Sequence, residues 1–230
     1  MSTIAERLAA VRAAVAAAVT DAGREPGSVR LVAVSKLHSA DAIAEACAAG
    51  QVEFGENYAQ ELRDKARALR AEGARWHFIG PLQRNKVKYV VGVAELIHTV
   101  DSVSLLDEIA RRAETAGVRQ RCLIEVNIGE EPQKSGCPIA DLAPLVDAFR
   151  AAPAVELAGL MCIPPAGDAA AARPFFRRLA ELAAAERART GMTLPELSMG
   201  MSADFAAAIA EGATIVRVGT AIFGERPART

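Results

Sequence analysis

Lys36 is the residue of this chain whose surroundings most favour covalent chemistry. It ends the segment 31–36, whose β-branched apolar residues predict a buried parallel strand. An amine at the mouth of an apolar sheet is partly desolvated, which lowers its pKa and favours the neutral form. A neutral amine attacks an aldehyde to give a Schiff base. The plain alternative is a strand that ends at the surface, with Lys36 opening a solvated loop.

A second group of residues, late in the chain, favours a phosphate. Ser198, Gly200 and Ser202 lead into a predicted helix start, where backbone N–H groups attract anions. Gly219 and Thr220 follow the last apolar run and offer a close backbone approach and a hydroxyl. Turns and helix caps use the same residue types, so these residues alone leave both interpretations open.

Arg217 lies inside the otherwise apolar run 215–218. A buried guanidinium needs a partner, because an uncompensated charge there is costly. That partner is either an internal carboxylate or a ligand heteroatom. Together with Lys36 and the phosphate residues, Arg217 describes a site for pyridoxal 5′-phosphate (PLP). A sugar-phosphate aldolase needs the same lysine and phosphate groups and remains an alternative.

Eight short apolar runs alternate with helical stretches along the chain. The runs are residues 31–35, 52–55, 76–79, 96–100, 122–126, 157–163, 197–199 and 215–218. Glycines that suit helix C-termini precede most of them, namely Gly50, Gly73, Gly92, Gly117, Gly191 and Gly212.

This alternation predicts a parallel sheet, and eight units in 230 residues predict a (β/α)8 barrel with an extra N-terminal helix. A doubly wound open sheet is the alternative. We interpret residues 1–230 as a single domain. Because barrel sites form at the carboxyl ends of the strands, we expect Lys36, Asn57, the phosphate residues and Arg217 at one rim.

Composition excludes several classes of function. The formal net charge of −1 provides no broad basic field for nucleic acid. The sequence contains no run of 18 uncharged apolar residues, which is the length that a membrane-spanning helix needs. The scattered cysteines favour a reducing cytoplasm without disulfides. The histidines lack metal-ligand spacing, and we interpret His77 as a core residue. Residues 83–88 are predicted to open a solvated basic helix.

Motifs spread over nearly the whole chain carry a family resemblance. They are Ala-Val-Ser-Lys at 33–36, Phe-Gly-Glu-Asn-Tyr at 54–58, His-Phe-Ile-Gly-Pro-Leu-Gln at 77–83, Asn-Lys at 85–86, Lys-Ser-Gly at 134–136, Gly-Leu-Met at 159–161, Leu-Ser-Met-Gly-Met-Ser at 197–202 and Val-Arg-Val-Gly-Thr-Ala-Ile-Phe-Gly at 216–224. In this order they resemble the pyridoxal phosphate homeostasis protein family. The match is specific because all the motifs occur together.

The resemblance implies a fold like the N-terminal barrel of alanine racemase, with PLP bound covalently to Lys36. It also implies that Ser198 or Ser202 holds the phosphate with Gly219 and Thr220, and that Arg217 faces the pyridine nitrogen. The cofactor site is therefore expected to comprise Lys36, Asn57, Ser198, Ser202, Arg217, Gly219 and Thr220.

The resemblance further implies a protein without established turnover that maintains the balance of vitamin B6 forms. Our first hypothesis is therefore a cytoplasmic, non-catalytic or barely catalytic carrier that passes PLP to apo-enzymes. A PLP-dependent amino-acid racemase of low activity is the alternative, and an interaction module that reads the cofactor is a third hypothesis. Racemases add a second domain and a tyrosine base, and we expect neither here; the chain's tyrosines are Tyr58 and Tyr89. We expect a monomer. Lys86 and Lys134 are candidates for a second, transient cofactor position.

Overall fold

Eight parallel strands close into a barrel in sequence order in the computed structural model, which describes residues 2–225. The strands are β1 (Arg30–Val34), β2 (Glu53–Glu56), β3 (Arg75–Phe78), β4 (Leu96–Val100), β5 (Gln120–Glu125), β6 (Val155–Met161), β7 (Glu196–Ser198) and β8 (Ile215–Val218). Each coincides with one of the eight predicted runs, and β1 pairs with both β2 and β8. The predicted (β/α)8 barrel is confirmed.

Helices surround the barrel. They are α1 (Ile4–Asp21), α2 (Ala40–Ala48), α3 (Ala59–Ala68), α4 (Val103–Ala116), α5 (Leu142–Arg150), α6 (Ala169–Thr190), α7 (Phe205–Ala210) and α8 (Thr220–Phe223). Three 3₁₀ helices occupy Arg70–Glu72, Arg84–Tyr89 and Ile139–Asp141. Within residues 2–225, none of the helices combines the length and the apolar character needed to cross a membrane.

The extra N-terminal helix is α1, and its sequence explains both its start and its packing. The Thr3 side chain accepts a hydrogen bond from the backbone of Glu6, whose carboxylate in turn accepts from the Thr3 N–H. This capping box satisfies two N–H groups that the helix leaves open. Residues at helical spacing form a buried stripe on α1, namely Ile4, Leu8, Val11, Val15 and Val19. This face packs the helix against α2, α7 and α8.

Two local details differ from what the sequence alone specified. The basic helix predicted to open at residues 83–88 is a short 3₁₀ helix, Arg84–Tyr89, because the β-branched Val90 and Val91 and then Gly92, with φ +75°, end the segment after two tight turns. The sixth strand ends at Met161 instead of residue 163. Pro164 and Pro165 follow, and prolines cannot donate to a strand ladder.

The core lies in two layers because each strand is buried on both faces. Side chains inside the barrel form a small apolar cluster of Val32, Leu96, Leu123, Ala158, Met161 and Ile215. A larger apolar layer lies between the strands and the helices. The interior also contains polar side chains, which form the site described below.

Charged residues at the amino ends of the strands close one end of the barrel. Arg30 donates to Glu53 at 3.1 Å and to Glu196 at 2.7 Å. Arg121 also lies 3.4 Å from Glu196. We call Arg30, Glu53, Arg121 and Glu196 the ion-pair layer. It leaves the carboxyl ends of the strands as the open end of the barrel.

Candidate cofactor site

A cavity of about 290 Å³ opens at the carboxyl ends of the strands. It is lined by Val34, Lys36, Asn57, Ile79, Ile163, Met201, Ser202, Ala203, Arg217, Gly219 and Thr220. The structure therefore brings together all the expected site residues except Ser198. They lie just after β1 and β2, in the loop that follows β7, and in and just after β8.

Ser198 lies below the cavity, inside the barrel. Its neighbour Leu197 packs in the outer apolar layer, so alternation along β7 turns Ser198 inward. Its hydroxyl is fully buried, 2.6 Å from Arg217 Nη1 and 2.9 Å from His98 Nδ1. Of the two serines expected to hold a ligand phosphate, Ser202 lines the cavity and Ser198 does not.

The backbone beside Lys36 is strained. Leu37 adopts φ +66°, in the left-handed region that non-glycine residues rarely occupy. Such conformations cost about 1–3 kcal/mol and persist where surrounding contacts hold them. Here the Leu37 N–H donates to Glu61 Oε1 at 2.7 Å, and the His38 N–H donates to Ser35 O at 3.1 Å. The turn that carries Lys36 is thus fixed by its neighbours.

A buried ion-pair cluster supports the other side of this turn. The Lys65 ammonium donates to Glu56 Oε1 at 2.8 Å, to Glu61 Oε1 at 2.6 Å and to the Ser35 carbonyl at 2.8 Å. The Ser35 hydroxyl also donates to Glu56 Oε1, at 2.7 Å. We call Glu56, Lys65 and Glu61 the Lys36 brace, since they bond the residues on either side of Lys36. Sequence reasoning missed this role of Lys65, which lies on a polar helix far along the chain.

Replacing Lys65 with methionine is expected to destabilise the protein by about 3–5 kcal/mol, because Glu56 is left buried without its countercharge. Urea unfolding measures the change, and Lys88→Met, at an exposed position, is the matched control with less than about 0.5 kcal/mol. The double variant Lys65→Met/Glu56→Gln should recover part of the loss. A loss below about 1 kcal/mol in Lys65→Met would contradict the brace.

Asn57 presents an unsatisfied amide to the cavity. Its Oδ1 atom is buried and has no hydrogen-bond partner among residues 2–225. Its backbone is held by Gly80, where an added Cβ would lie 2.3 Å from the Asn57 carbonyl oxygen. Buried polar atoms of this kind normally have partners, so an open one on a cavity wall fits a ligand with a polar group.

Arg217 is 4% exposed and lies at the floor of the cavity. Nη1 donates to Ser198 Oγ and Nη2 donates to the Cys162 carbonyl at 3.0 Å. In the part of the chain that the structure describes, its guanidinium forms no ion pair within 4.0 Å. Burial lowers the pKa of Arg217, although a guanidinium stays charged in proteins. Arg217 keeps N–H donors for a ligand, which fits a ligand heteroatom as its partner better than an internal carboxylate.

Glu125 is a site residue that the sequence analysis missed. It ends β5 and lines an adjoining cavity of about 310 Å³, which shares Asn57, Ile79 and Ile163 with the first. Desolvation raises the pKa of Glu125 to about 7, although Arg217 acts in the opposite direction. Its position within the predicted apolar run 122–126 was the available signal, because a carboxyl in such a run requires an explanation.

Glu125 makes the stability of the protein depend on pH. Its pKa is higher in the folded chain than the ordinary 4.5, so the folded state holds a proton that the unfolded state releases. Stability therefore falls as the pH rises from about 4.5 to about 7. Between about pH 5 and 8, wild type should lose on the order of 3 kcal/mol more than Glu125→Gln in urea unfolding. Glu130→Gln, at an exposed position, should keep the wild-type slope, and equal slopes in all three proteins would contradict the assignment.

The two candidate lysines for a second cofactor position adjoin the mouth. Lys134 lines the cavity of Glu125, where its ammonium donates to the Pro164 carbonyl at 3.0 Å and pairs with Glu131. Lys86 lines a third cavity of about 370 Å³ that also includes Asn57. Neither lines the cavity of Lys36.

A larger cavity, of about 440 Å³, lies at the opposite end of the barrel between α1 and the ion-pair layer. Its arginines are engaged by protein acceptors: Arg12 donates to Ala49 O and to Gln51 Oε1, and Arg30 pairs with two glutamates. It has no lysine in its lining. The cavity that contains the residues predicted from the sequence therefore lies at the carboxyl end of the barrel.

The fold and the lysine-bearing mouth define a class of protein. Residues 7–227 match the model of the family described as alanine racemase, N-terminal domain. An alanine racemase from Clostridium difficile has the same fold, with a TM-score of 0.68 at 14% identity; the alignment covers 94% of this chain and 57% of that one.

Closer relatives narrow the class. Proteins named pyridoxal phosphate homeostasis protein from Pseudomonas aeruginosa and Escherichia coli K12 are each 43% identical over 98% of this chain, and the matches cover 97% and 98% of those proteins. PipY of Synechococcus elongatus, solved with PLP bound, is 40% identical with a TM-score of 0.86, over 96% of this chain and all of that one. The chain belongs to the pyridoxal phosphate homeostasis protein family.

Proposed function

We propose that this protein binds PLP reversibly and maintains the cellular balance of vitamin B6 cofactor. One observation carries the proposal: Lys36, Arg217 and the phosphate-type residues Ser202, Gly219 and Thr220 line one cavity of about 290 Å³. An amine, a fixed cationic donor and a hydroxyl-rich corner match the aldehyde, the ring nitrogen and the phosphate of PLP in chemical type.

Each residue has a role that follows from its chemistry. The Lys36 amine holds the aldehyde carbon as a Schiff base, which water or another amine reverses. Ser202 and Thr220 donate hydroxyl hydrogen bonds to the phosphate, and Gly219 allows the backbone to approach it. Arg217 donates to the ring nitrogen. Asn57 supplies an amide to the ring substituents.

We further propose that the protein does not turn over a substrate at a useful rate. PLP supplies an electron-withdrawing ring, which works best when an acid keeps its nitrogen protonated. Arg217 cannot give up its proton to that nitrogen, so the ring withdraws electrons only weakly. Amino acids incubated with the loaded protein in D₂O should therefore gain no α-deuterium. Exchange that depends on Lys36 would favour the racemase alternative.

The proposal is tested on the wild-type protein. Added PLP should give a yellow absorption band that borohydride abolishes, and peptide mapping should find the reduced adduct on the peptide that contains Lys36. The expected yield is stoichiometric. If the protein took up no PLP, the proposal would be rejected, and a sugar-phosphate aldolase would become the hypothesis to test.

We also propose apo-enzymes as recipients of the cofactor. The loaded protein should reactivate an apo-transaminase even when a phosphatase destroys free PLP. Reactivation that the phosphatase abolishes would mean that the recipient takes PLP from solution. The monomeric state and the cytoplasmic location remain predictions.

A further inference from the structure

A continuous chain of polar side chains runs from the cavity floor into the barrel. Arg217 Nη1 lies 2.6 Å from Ser198 Oγ, which lies 2.9 Å from His98 Nδ1. The other nitrogen of His98, Nε2, lies 2.9 Å from His77 Nδ1. Finally, His77 Nε2 lies 4.0 Å from Glu53 Oε1 in the ion-pair layer. Ser198, His98 and His77 are fully buried.

The upper end of the chain fixes the direction of every hydrogen bond. Arg217 can only donate, so Ser198 Oγ accepts from it. The Ser198 hydroxyl hydrogen then has one acceptor within reach in the described structure, His98 Nδ1. An imidazole whose Nδ1 accepts carries its proton on Nε2. His98 therefore donates from Nε2 to His77 Nδ1, and His77 also carries its proton on Nε2.

The lower end of the chain favours the same direction. With its proton on Nε2, His77 points an N–H toward the carboxylate of Glu53, which lies 4.0 Å away and so attracts it electrostatically without a hydrogen bond. In the reverse direction, a bare nitrogen lone pair would face that carboxylate, and the Ser198 hydroxyl hydrogen would be buried without an acceptor. Leaving a buried polar group unsatisfied is costly. The hydrogen bonds at the upper end thus select one arrangement of protons, and the charge of Glu53 at the lower end favours the same one.

We propose that Ser198, His98 and His77 are positioning residues that form a one-way hydrogen-bond chain and aim Arg217 at the cofactor ring nitrogen. The target of Arg217 rests on the proposed function, whereas the direction of the chain does not. The imidazoles stay neutral within it: burial, followed by Arg30, Arg75 and Arg121, lowers the pKa of His77 to about 3. Burial, together with His77, Arg217 and Arg30, also lowers that of His98.

Nitrogen NMR of ¹⁵N-histidine protein tests the direction of the chain without cofactor. The chain has three histidines, so each ring can be assigned with one variant. At neutral pH, His77 and His98 should each show a protonated Nε2 and a bare Nδ1. In Ser198→Ala, the His98 Nδ1 signal should move toward that of an unbonded nitrogen. A proton on Nδ1 of either ring would overturn the proposal.

Release of PLP tests the aim of Arg217. In Ser198→Ala, Arg217 loses the acceptor of Nη1, and we expect PLP to dissociate roughly tenfold faster, because hydrogen bonds to charged groups are among the strong ones. The absorption band of the bound cofactor should shift as well. Ser28→Ala is the matched control, since the Ser28 hydroxyl has no partner in the described structure and lies far from the mouth. Equal release rates in the two alanine variants would overturn the positioning role.

A second pair of variants keeps the test decisive if Ser198→Ala folds poorly. In His98→Asn, the amide oxygen stands close to the position of Nδ1 and accepts from Ser198, whereas His98→Leu offers no acceptor. PLP should therefore leave His98→Asn more slowly than His98→Leu, and equal rates would overturn the chain. A wild-type protein that takes up no PLP would reject the proposed function and the target of Arg217. The proton positions on the histidines are decided by NMR alone.

Discussion

Replacing Lys36 with alanine is expected to abolish covalent attachment of PLP. The amine of Lys36 is the one that lines the cavity of about 290 Å³, and its turn is held in a strained conformation by the Lys36 brace. The yield of borohydride-fixed cofactor should fall from stoichiometric to undetectable. Electrospray mass of the reduced protein measures it, because each fixed cofactor adds its own mass.

Lys88→Ala is the matched control for this result. Lys88 is exposed on the 3₁₀ helix Arg84–Tyr89, where its ammonium lies 5.1 Å from the centre of the Tyr89 ring. This variant should keep the full yield. If Lys36→Ala still retained the cofactor after borohydride, the attachment would lie elsewhere, and peptide mapping would ask first whether it is on Lys86 or Lys134.

Gly159→Ala is expected to cost more stability than any other single change considered, above about 4 kcal/mol. An added Cβ would lie 1.9 Å from the backbone oxygen of Glu196, and Gly159 has φ +155°. Gly159 pairs directly with Glu196 between β6 and β7, so the clash is relieved only by opening the barrel. Total stabilities are about 5–15 kcal/mol, and much of the variant should therefore be unfolded or insoluble.

Gly117→Ala separates the steric effect from backbone strain. Gly117 also has a positive φ, +65°, but an added Cβ meets nothing within 4 Å. It should cost about 1–2 kcal/mol, which is the strain of a left-handed alanine alone. Urea unfolding of both variants gives the comparison. A similar loss in the two would mean that the β6–β7 junction adjusts to the extra carbon.

The barrel was predictable because its local signals agree with each other. Every apolar run became a strand, and the six glycines placed at helix ends all have positive φ. The errors fall where local signals are weak, as in the connection between β3 and β4. There, the charged residues 84–88 resemble a solvated helix, but the following valines and Gly92 leave room for a 3₁₀ helix only.

The site was predictable only as a set of strand ends. Strand order predicted that Lys36, Asn57 and Arg217 lie at one rim. Successive side chains of a strand point to opposite faces of the sheet, however, so the direction of each one depends on where its short strand begins. Ser198 therefore seemed equivalent to Ser202 until the structure separated them. His98, Glu125 and Lys65 lie against residues that are far from them in the chain. The spacing of residues in the sequence does not predict such contacts.

The ion-pair layer has a kinetic consequence for a carrier. Arg30 and its partners Glu53 and Glu196 form ion pairs at the amino end of the barrel, opposite the cavity of Lys36, so a carrier of the proposed kind would load and unload its cofactor at the carboxyl end. Under that proposal, a donor and a recipient would compete for the same end of the barrel. Transfer would then follow a ping-pong order, in which the supplier departs before the acceptor docks and the loaded protein exists as a free species between the two encounters.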